Sequence, residues 1–228
     1  MSVEVNGILV AAHELKAPLS LMRQLALALE NAPDELTRQS LERQLVEVSD
    51  RALRQVNDLS KIARLEDGLF VTEPVSVRGV CDSVMREMRT CFNFEHRAIS
   101  MHYTNKSRLA IANRDLLYSI VYNFCTNALR YSDLQTTSSL SVSDHQDKIR
   151  IGVRDYGPAL PTAIWREFQN GRLSGPTSIA MRPGSSGLGL YIVSEFAHYM
   201  HAQIGAVRHR DGTSFFIELP VSKQATLL

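Results

Sequence analysis

The 228-residue chain lacks any long hydrophobic run. Its longest apolar stretch near the start, "GILVAA" at residues 7–12, falls far short of the ~18 residues that a membrane span requires, and "MSVE" is not how a signal peptide begins. No membrane contact by this chain itself, and a cytosolic setting, are therefore expected. An excess of one charge is missing too: 25 Lys and Arg face 24 Asp and Glu, for a formal net charge of +1. No whole-chain field attracts nucleic acid or an anionic surface, and no nucleic-acid partner is expected. Cysteine is scarce. Cys81, Cys91 and Cys125 are odd in number and lack metal-ligand spacing, which argues against a disulfide framework and for buried or half-buried thiols in a reducing compartment. Internal repeats and low-complexity tracts are absent. What remains is 44% hydrophobic and 21% charged residues, enough for a domain of ordinary size plus a smaller one.

The first region carries heptads. Residues 8, 12, 15, 19, 22, 26 and 29 read Ile, Ala, Leu, Leu, Met, Ala and Leu, and residues 41, 45, 48, 52, 55, 59 and 62 read Leu, Leu, Val, Ala, Gln, Leu and Ile. Both sets follow the four-three alternation of an a/d seam. Between them, Pro33 and Asp34 in "ENAPDEL" suit a turn and a helix start. Gly68 in "RLEDG" supplies a left-handed stop. The pattern predicts a two-helix hairpin over residues 1–68. Two helices alone hide little apolar surface, so the hairpin is expected to pair with a second copy as a homodimeric four-helix bundle. A coiled-coil spacer has the same periodicity.

A linker over 69–74 then gives way to short strands and helices over 75–228. Predicted strands are 99–105, 138–144, 148–155, 203–209 and 214–219; predicted helices are 77–91, 114–131 and 187–200. In "KIRIGVRD", Ile149, Ile151 and Val153 alternate with Arg150, Gly152 and Arg154, a half-buried strand with helices over one face. The overall fold class is α+β. Residues 169–186, "QNGRLSGPTSIAMRPGSS", are rich in Gly, Ser and Pro and read as a long loop of the kind that forms lids; the lid is placed at about 158–186.

Three elements carry chemistry. In "NFCTNALRYS", Asn123, Asn127 and Arg130 fall at i, i+4 and i+7 on an otherwise apolar helix. Amide oxygens are ligands that Mg²⁺ accepts beside water and phosphate, and Arg130 can pair with phosphate; alone, the stripe is more often a solvated helix face. "RDYGPALP" ends a strand with Asp155 and Gly157. That carboxylate can accept from an exocyclic amine, and the glycine lets a flat ring approach the backbone. "PGSSGLGLYIV" runs from a glycine loop into a helix, whose free N–H groups and dipole favour phosphate. Each supplies what the others lack.

The order of "HELKAPLS", "NFCTNALRYS", "DYGPALP", "GSSGLGLYIV" and "DGTSFFIELP" resembles the catalytic half of a bacterial sensor histidine kinase of two-component signalling. The resemblance spans about residues 8 to 221. It implies a dimerisation and histidine-phosphotransfer hairpin followed by a GHKL-type α/β sandwich that binds ATP and Mg²⁺. Residue by residue, it implies that His13 is the phosphoacceptor and Glu14 its adjacent acid. Asn123 and Asn127 fall on the N box, with Asn127 the Mg²⁺ ligand, and Arg130 and Tyr131 line the nucleotide. Asp155 reads adenine with Gly157 beside it. Phe168 in "IWREF" matches the F box and, with Arg182, belongs to the lid. Gly184, Gly187 and Gly189, followed by Leu190, close on the phosphates.

The implied reaction moves the γ-phosphoryl group of ATP to a nitrogen of His13, and from there to an aspartate of a response-regulator receiver domain. Pro18 cannot give an N–H to the carbonyl of Glu14 and crowds it, so a hinge is expected beside the reactive pair. The sequence departs from the family at Ala159, where a second glycine is usual, at Asn113, where an acid is usual, and at Ala17, one turn beyond His13, where many relatives carry Thr or Asn. Ala17 has no group to hold a water, so weak phosphatase activity toward the regulator is expected. Two other readings are a non-catalytic dimeric nucleotide-binding module, and an ATPase of the gyrase, mismatch-repair or chaperone type, which the histidine hairpin disfavours.

Overall fold

A computed structural model describes residues 2–104, 108–145, 147–169 and 187–223, with the side chains of 2–14, 164 and 169 excepted. The chain divides into two compact units, Met1–Arg64 and Leu65–Leu228.

The first unit is a helical hairpin of α1 (Ser2–Glu30) and α2 (Glu35–Ala63). Asp34 caps α2: its Oδ1 accepts from the Thr37 N–H at 2.7 Å and its Oδ2 from the Thr37 hydroxyl at 2.9 Å, satisfying donors that a helix start leaves open. The α2 seam is the expected one, with Leu41, Leu45, Val48, Ala52, Gln55, Leu59 and Ile62 all buried or half-buried. The α1 seam is met in part. Leu15, Met22 and Leu29 are half-buried as expected, whereas Leu19 and Ala26 are exposed and the preceding Pro18 and Leu25 positions are buried in their place. Apolar residues occur on both sides of that stripe, and counting letters alone placed those two positions one residue late. Gly68 takes the left-handed conformation, φ +68°, but it follows a 3₁₀ turn at Leu65–Asp67; α2 itself ends at Ala63, with Arg64 as its C-cap.

The second unit has the elements β1 (Glu73–Ser76), α3 (Val77–Phe94), β2 (Ala98–Tyr103), β3 (Leu109–Ala112), α4 (Arg114–Tyr131), β4 (Thr137–His145), β5 (Lys148–Asp155), α5 (Thr162–Gln169), α6 (Leu188–Tyr199), β6 (Gln203–His209) and β7 (Gly212–Pro220). Five strands form one sheet in the order β2-β4-β5-β7-β6. The β2–β4 pair is parallel and the others antiparallel. β1 and β3 make a separate antiparallel ribbon, joined to the chain end by a bridge from Ala110 to Val221. Helices α3, α4 and α6 cover one face of the sheet, as the alternation in β5 requires: Ile149, Ile151 and Val153 are at most 1% exposed. Phe92, Phe124, Phe196 and Phe215 fill the space between the layers. No helix among the described residues is long and apolar enough to cross a membrane.

Candidate functional site

α4 is the spine of the site. Asn113 caps it, its Oδ1 accepting from the N–H groups of Asp115 and Leu116 at 3.1 Å each, so the amide that replaces the family's acid serves the helix start. Leu116, Leu117, Ile120, Val121, Phe124 and Ala128 are buried; the stripe of Asn123 and Asn127 is half-buried, and Arg130 is exposed in the last turn. Asn123 has a fixed orientation. Its Nδ2 donates to the Ser119 carbonyl at 2.8 Å, which turns Oδ1 toward α6, where a Cβ at Gly189 would stand only 2.8 Å from it. The glycine thus lets the start of α6 lie against the amide stripe. Gly187 forms the N-cap of α6 with φ +73°, a left-handed conformation that costs glycine little. It has no side chain of its own to bond the first N–H groups of α6, and the helix dipole there favours an anion.

The second wall is the loop after β5. Asp155 is 1% exposed, and its Oδ1 accepts from the N–H groups of Gly157 at 3.2 Å and Thr213 at 3.1 Å. Two backbone donors fix the plane of the carboxylate. Gly157 has a reason beyond the one read from sequence: a Cβ there would collide with the carbonyl of Tyr131. The crowding comes from the end of α4, not from a ring in the site. Arg154 frames the loop from outside, bonding Asp211 at 2.7 Å with its guanidinium 4.6 Å from the centre of the Tyr156 ring.

Asn123, Asp155, Gly157, Gly187 and Gly189, which are remote in sequence, thus meet around α4, with Tyr131 half-buried at the helix end. Leu190 is 9% exposed and belongs to the buried face of α6. Phe168, expected in the lid, is 1% exposed, with its ring centre 5.4 Å from that of Phe215. The Trp165 indole N–H pins the same helix, α5, by donating to the Ala206 carbonyl at 3.2 Å. Gly184 and Arg182, with the rest of 170–186, lie outside the described residues. His13 and Glu14 are adjacent in α1, whose backbone alone is described there. α1 continues as a helix through Pro18. Thr213 was not singled out from the sequence; the signal was the "DGT" of "DGTSFFIELP", and its N–H holds Asp155.

Other reactive groups stand apart. Burial pushes the Cys81 thiol up to about 12 and that of Cys125 higher still, so neither is a thiolate near neutrality. His198 and His201 are exposed. Among the described residues, no group of three or more His, Cys, Asp or Glu is placed to hold a metal.

Residues 112–223 match the family described as histidine kinase-, DNA gyrase B-, and HSP90-like ATPase. The chain is 24% identical over 215 residues to the histidine protein kinase SaeS of Staphylococcus aureus strain USA300, covering 91% of this chain and 61% of that protein. It therefore spans about three-fifths of the length of this curated relative. In fold it is similar to the Acinetobacter baumannii histidine kinase AdeS, with a TM-score of 0.64 at 18% identity, covering 92% of this chain and 98% of that one. Full-length ShkA in complex with AMPPNP gives a TM-score of 0.63 at 22% identity, covering 97% of this chain and 47% of that one. Residues 112–223 thus match an ATPase domain of the histidine kinase-, DNA gyrase B-, and HSP90-like type, and the chain as a whole is similar to sensor histidine kinases in sequence and fold.

Proposed function

We propose that the chain is an ATP-dependent protein-histidine kinase that phosphorylates His13 and passes the phosphoryl group to an aspartate of a response-regulator receiver domain. Residues 1–68 would serve dimerisation and phosphotransfer, 69–74 as linker, and 75–228 for nucleotide binding. The observation that carries the reading is the meeting of the Asn123 amide oxygen with the glycine-led start of α6. A hard oxygen donor on one helix lies against the start of another. That donor set suits a metal-bound polyphosphate, because the amides can share a cation with the phosphates while the helix start takes their negative charge.

In this reading Asp155 accepts the adenine amino group, Tyr131 lies along the base, and Arg130 and the N–H groups of α6 face phosphate oxygens. Asn127, with Asn123 one turn before it, holds Mg²⁺, which when bound offsets charge on the phosphates. Imidazole attacks only when neutral, and an ordinary pKa of ~6.5 leaves it so near neutrality. One ring nitrogen of His13 forms the N–P bond, the bond from the γ-phosphorus to the bridging oxygen breaks, and ADP leaves. Glu14 takes the proton from the other ring nitrogen. Alignment supplies most of the remaining rate.

Incubation of the full chain with γ-labelled ATP and Mg²⁺ tests the proposal. Label that survives base, is lost in acid and is absent from His13→Gln is the expected result. Label retained by His13→Gln, or ATP consumed without labelling the wild type, would overturn it.

A further inference from the structure

Ser132 is the C-cap of α4, and all of its polar groups are engaged. Its N–H donates to the Ala128 carbonyl at 3.0 Å, closing the helix. Its carbonyl accepts from the Arg97 guanidinium, a cation at a helix C-terminus, where the dipole favours one. Its hydroxyl lies 2.8 Å from the Ser138 hydroxyl at the start of β4 and accepts from the Tyr156 N–H at 3.2 Å. The next residue completes the link, with the Asp133 N–H donating to the Tyr156 carbonyl at 3.3 Å. Ser132 is 4% exposed and Ser138 fully buried.

Two bonds of opposite sense therefore fasten Tyr156 to the end of α4. Tyr156 stands between Asp155, the proposed reader of the adenine amine, and Gly157, whose N–H holds Asp155 Oδ1. Tyr131, the residue proposed to lie along the base, immediately precedes Ser132. The two groups that address the base thus come from different elements, a strand end and a helix end, and one hydroxyl joins them. Without the Ser132 bond, the Asp133 bond alone would tie Tyr156 to the end of α4.

We infer that Ser132 is a positioning residue for base recognition: its hydroxyl sets the Asp155–Gly157 loop against the end of α4, so that the Asp155 carboxylate and Tyr131 address the same ring. This rests on the nucleotide reading given above. The phosphate-facing parts, Asn123, Asn127 and the start of α6, are not held by Ser132, so its loss falls on the base and leaves the reacting end in place.

The test compares ATP with GTP, which carries a carbonyl where adenine carries its amine. In the full chain, Ser132→Ala is expected to raise the KM for ATP roughly tenfold, the scale of one buried hydrogen bond, with kcat within about twofold. The ATP-over-GTP affinity ratio should fall by a similar factor. A merely structural role would lower Tm and weaken both nucleotides alike, leaving the ratio intact. Ser132→Thr, which keeps the hydroxyl, should restore the ratio, and Ser138→Ala, which spares the Tyr156 bond, should not change it. Should the alanine variant not fold, Ser132→Cys, of similar volume but a weak acceptor, serves in its place. Wild type that prefers ATP, with the ratio unmoved in Ser132→Ala or its Ser132→Cys substitute, overturns this inference alone; wild type with no ATP preference overturns the nucleotide reading beneath it.

Discussion

Ala17 is exposed on α1, four residues after His13 and so on the same helix face. A methyl group there can neither donate nor accept a hydrogen bond, so it cannot hold a water in line with a phosphoaspartate docked at His13. Ala17→Thr or Ala17→Asn should therefore shorten the lifetime of the phosphorylated regulator severalfold while leaving His13 labelling intact; an unchanged lifetime would sink the idea. Gly157 is the opposite case, a residue that admits no side chain. Gly157→Ala drives a Cβ into the Tyr131 carbonyl, and overpacking against backbone costs about 1–3 kcal/mol. A lower urea midpoint together with weaker ATP binding is expected, since the same clash separates the loop proposed to read the base from α4. At this scale the sequence revealed residue types but not their neighbours. That Asp155 ends a strand was readable, whereas its bond to the Thr213 N–H depends on β7 pairing with β5, a contact 58 residues away in the chain.

Among the elements, periodic segments were legible and short ones were not. The alternation of "KIRIGVRD" and the apolar face of residues 114–131 gave β5 and α4 their observed bounds. β1 and β3 were missed because four residues carry no period, and β1 contains Pro74; each exists through pairing with the other. α5 was missed because its eight residues follow a Gly-Pro stretch and are held by Phe168 and Trp165 rather than by propensity. α1 poses the converse problem, a helix that continues through Pro18 although proline removes a backbone bond and crowds the carbonyl of Glu14. Pro18 is buried on the hairpin face, so packing offsets what the backbone loses. Pro18→Ala should restore the missing bond and stiffen α1 next to His13. The expected result is a shifted basal labelling rate and, in a fusion to an upstream sensor, a blunted response; if both stay unchanged, Pro18 is not a hinge.

On the scale of the whole molecule, the hairpin carries more apolar surface than its own two helices use. In α2 the buried or half-buried line of Leu45, Ala52 and Gln55 has a second line beside it, displaced by one residue: Val46, Leu53 and Val56 are 60%, 61% and 40% exposed. In α1, Leu19 at 58% exposed and the exposed Ala26 flank the Pro18–Leu25 line in the same way. A helix in a four-helix bundle meets two neighbours and needs such a doubled stripe, whereas a helix in an isolated hairpin meets one. The second line is what a second copy of the chain would bury. A lysine at an exposed position ordinarily changes stability by no more than about 0.5 kcal/mol, so in a monomer Leu53→Lys should do almost nothing. In a bundle the same change buries an unpaired charge at the seam, at a cost of several kcal/mol. Sedimentation over a range of protein concentrations should then find a dimer for the wild type and a monomer for Leu53→Lys. ATP binding should be retained, because the residues proposed to bind nucleotide all lie in the other unit. A wild type that stays monomeric at every concentration would show that the doubled stripe has another use.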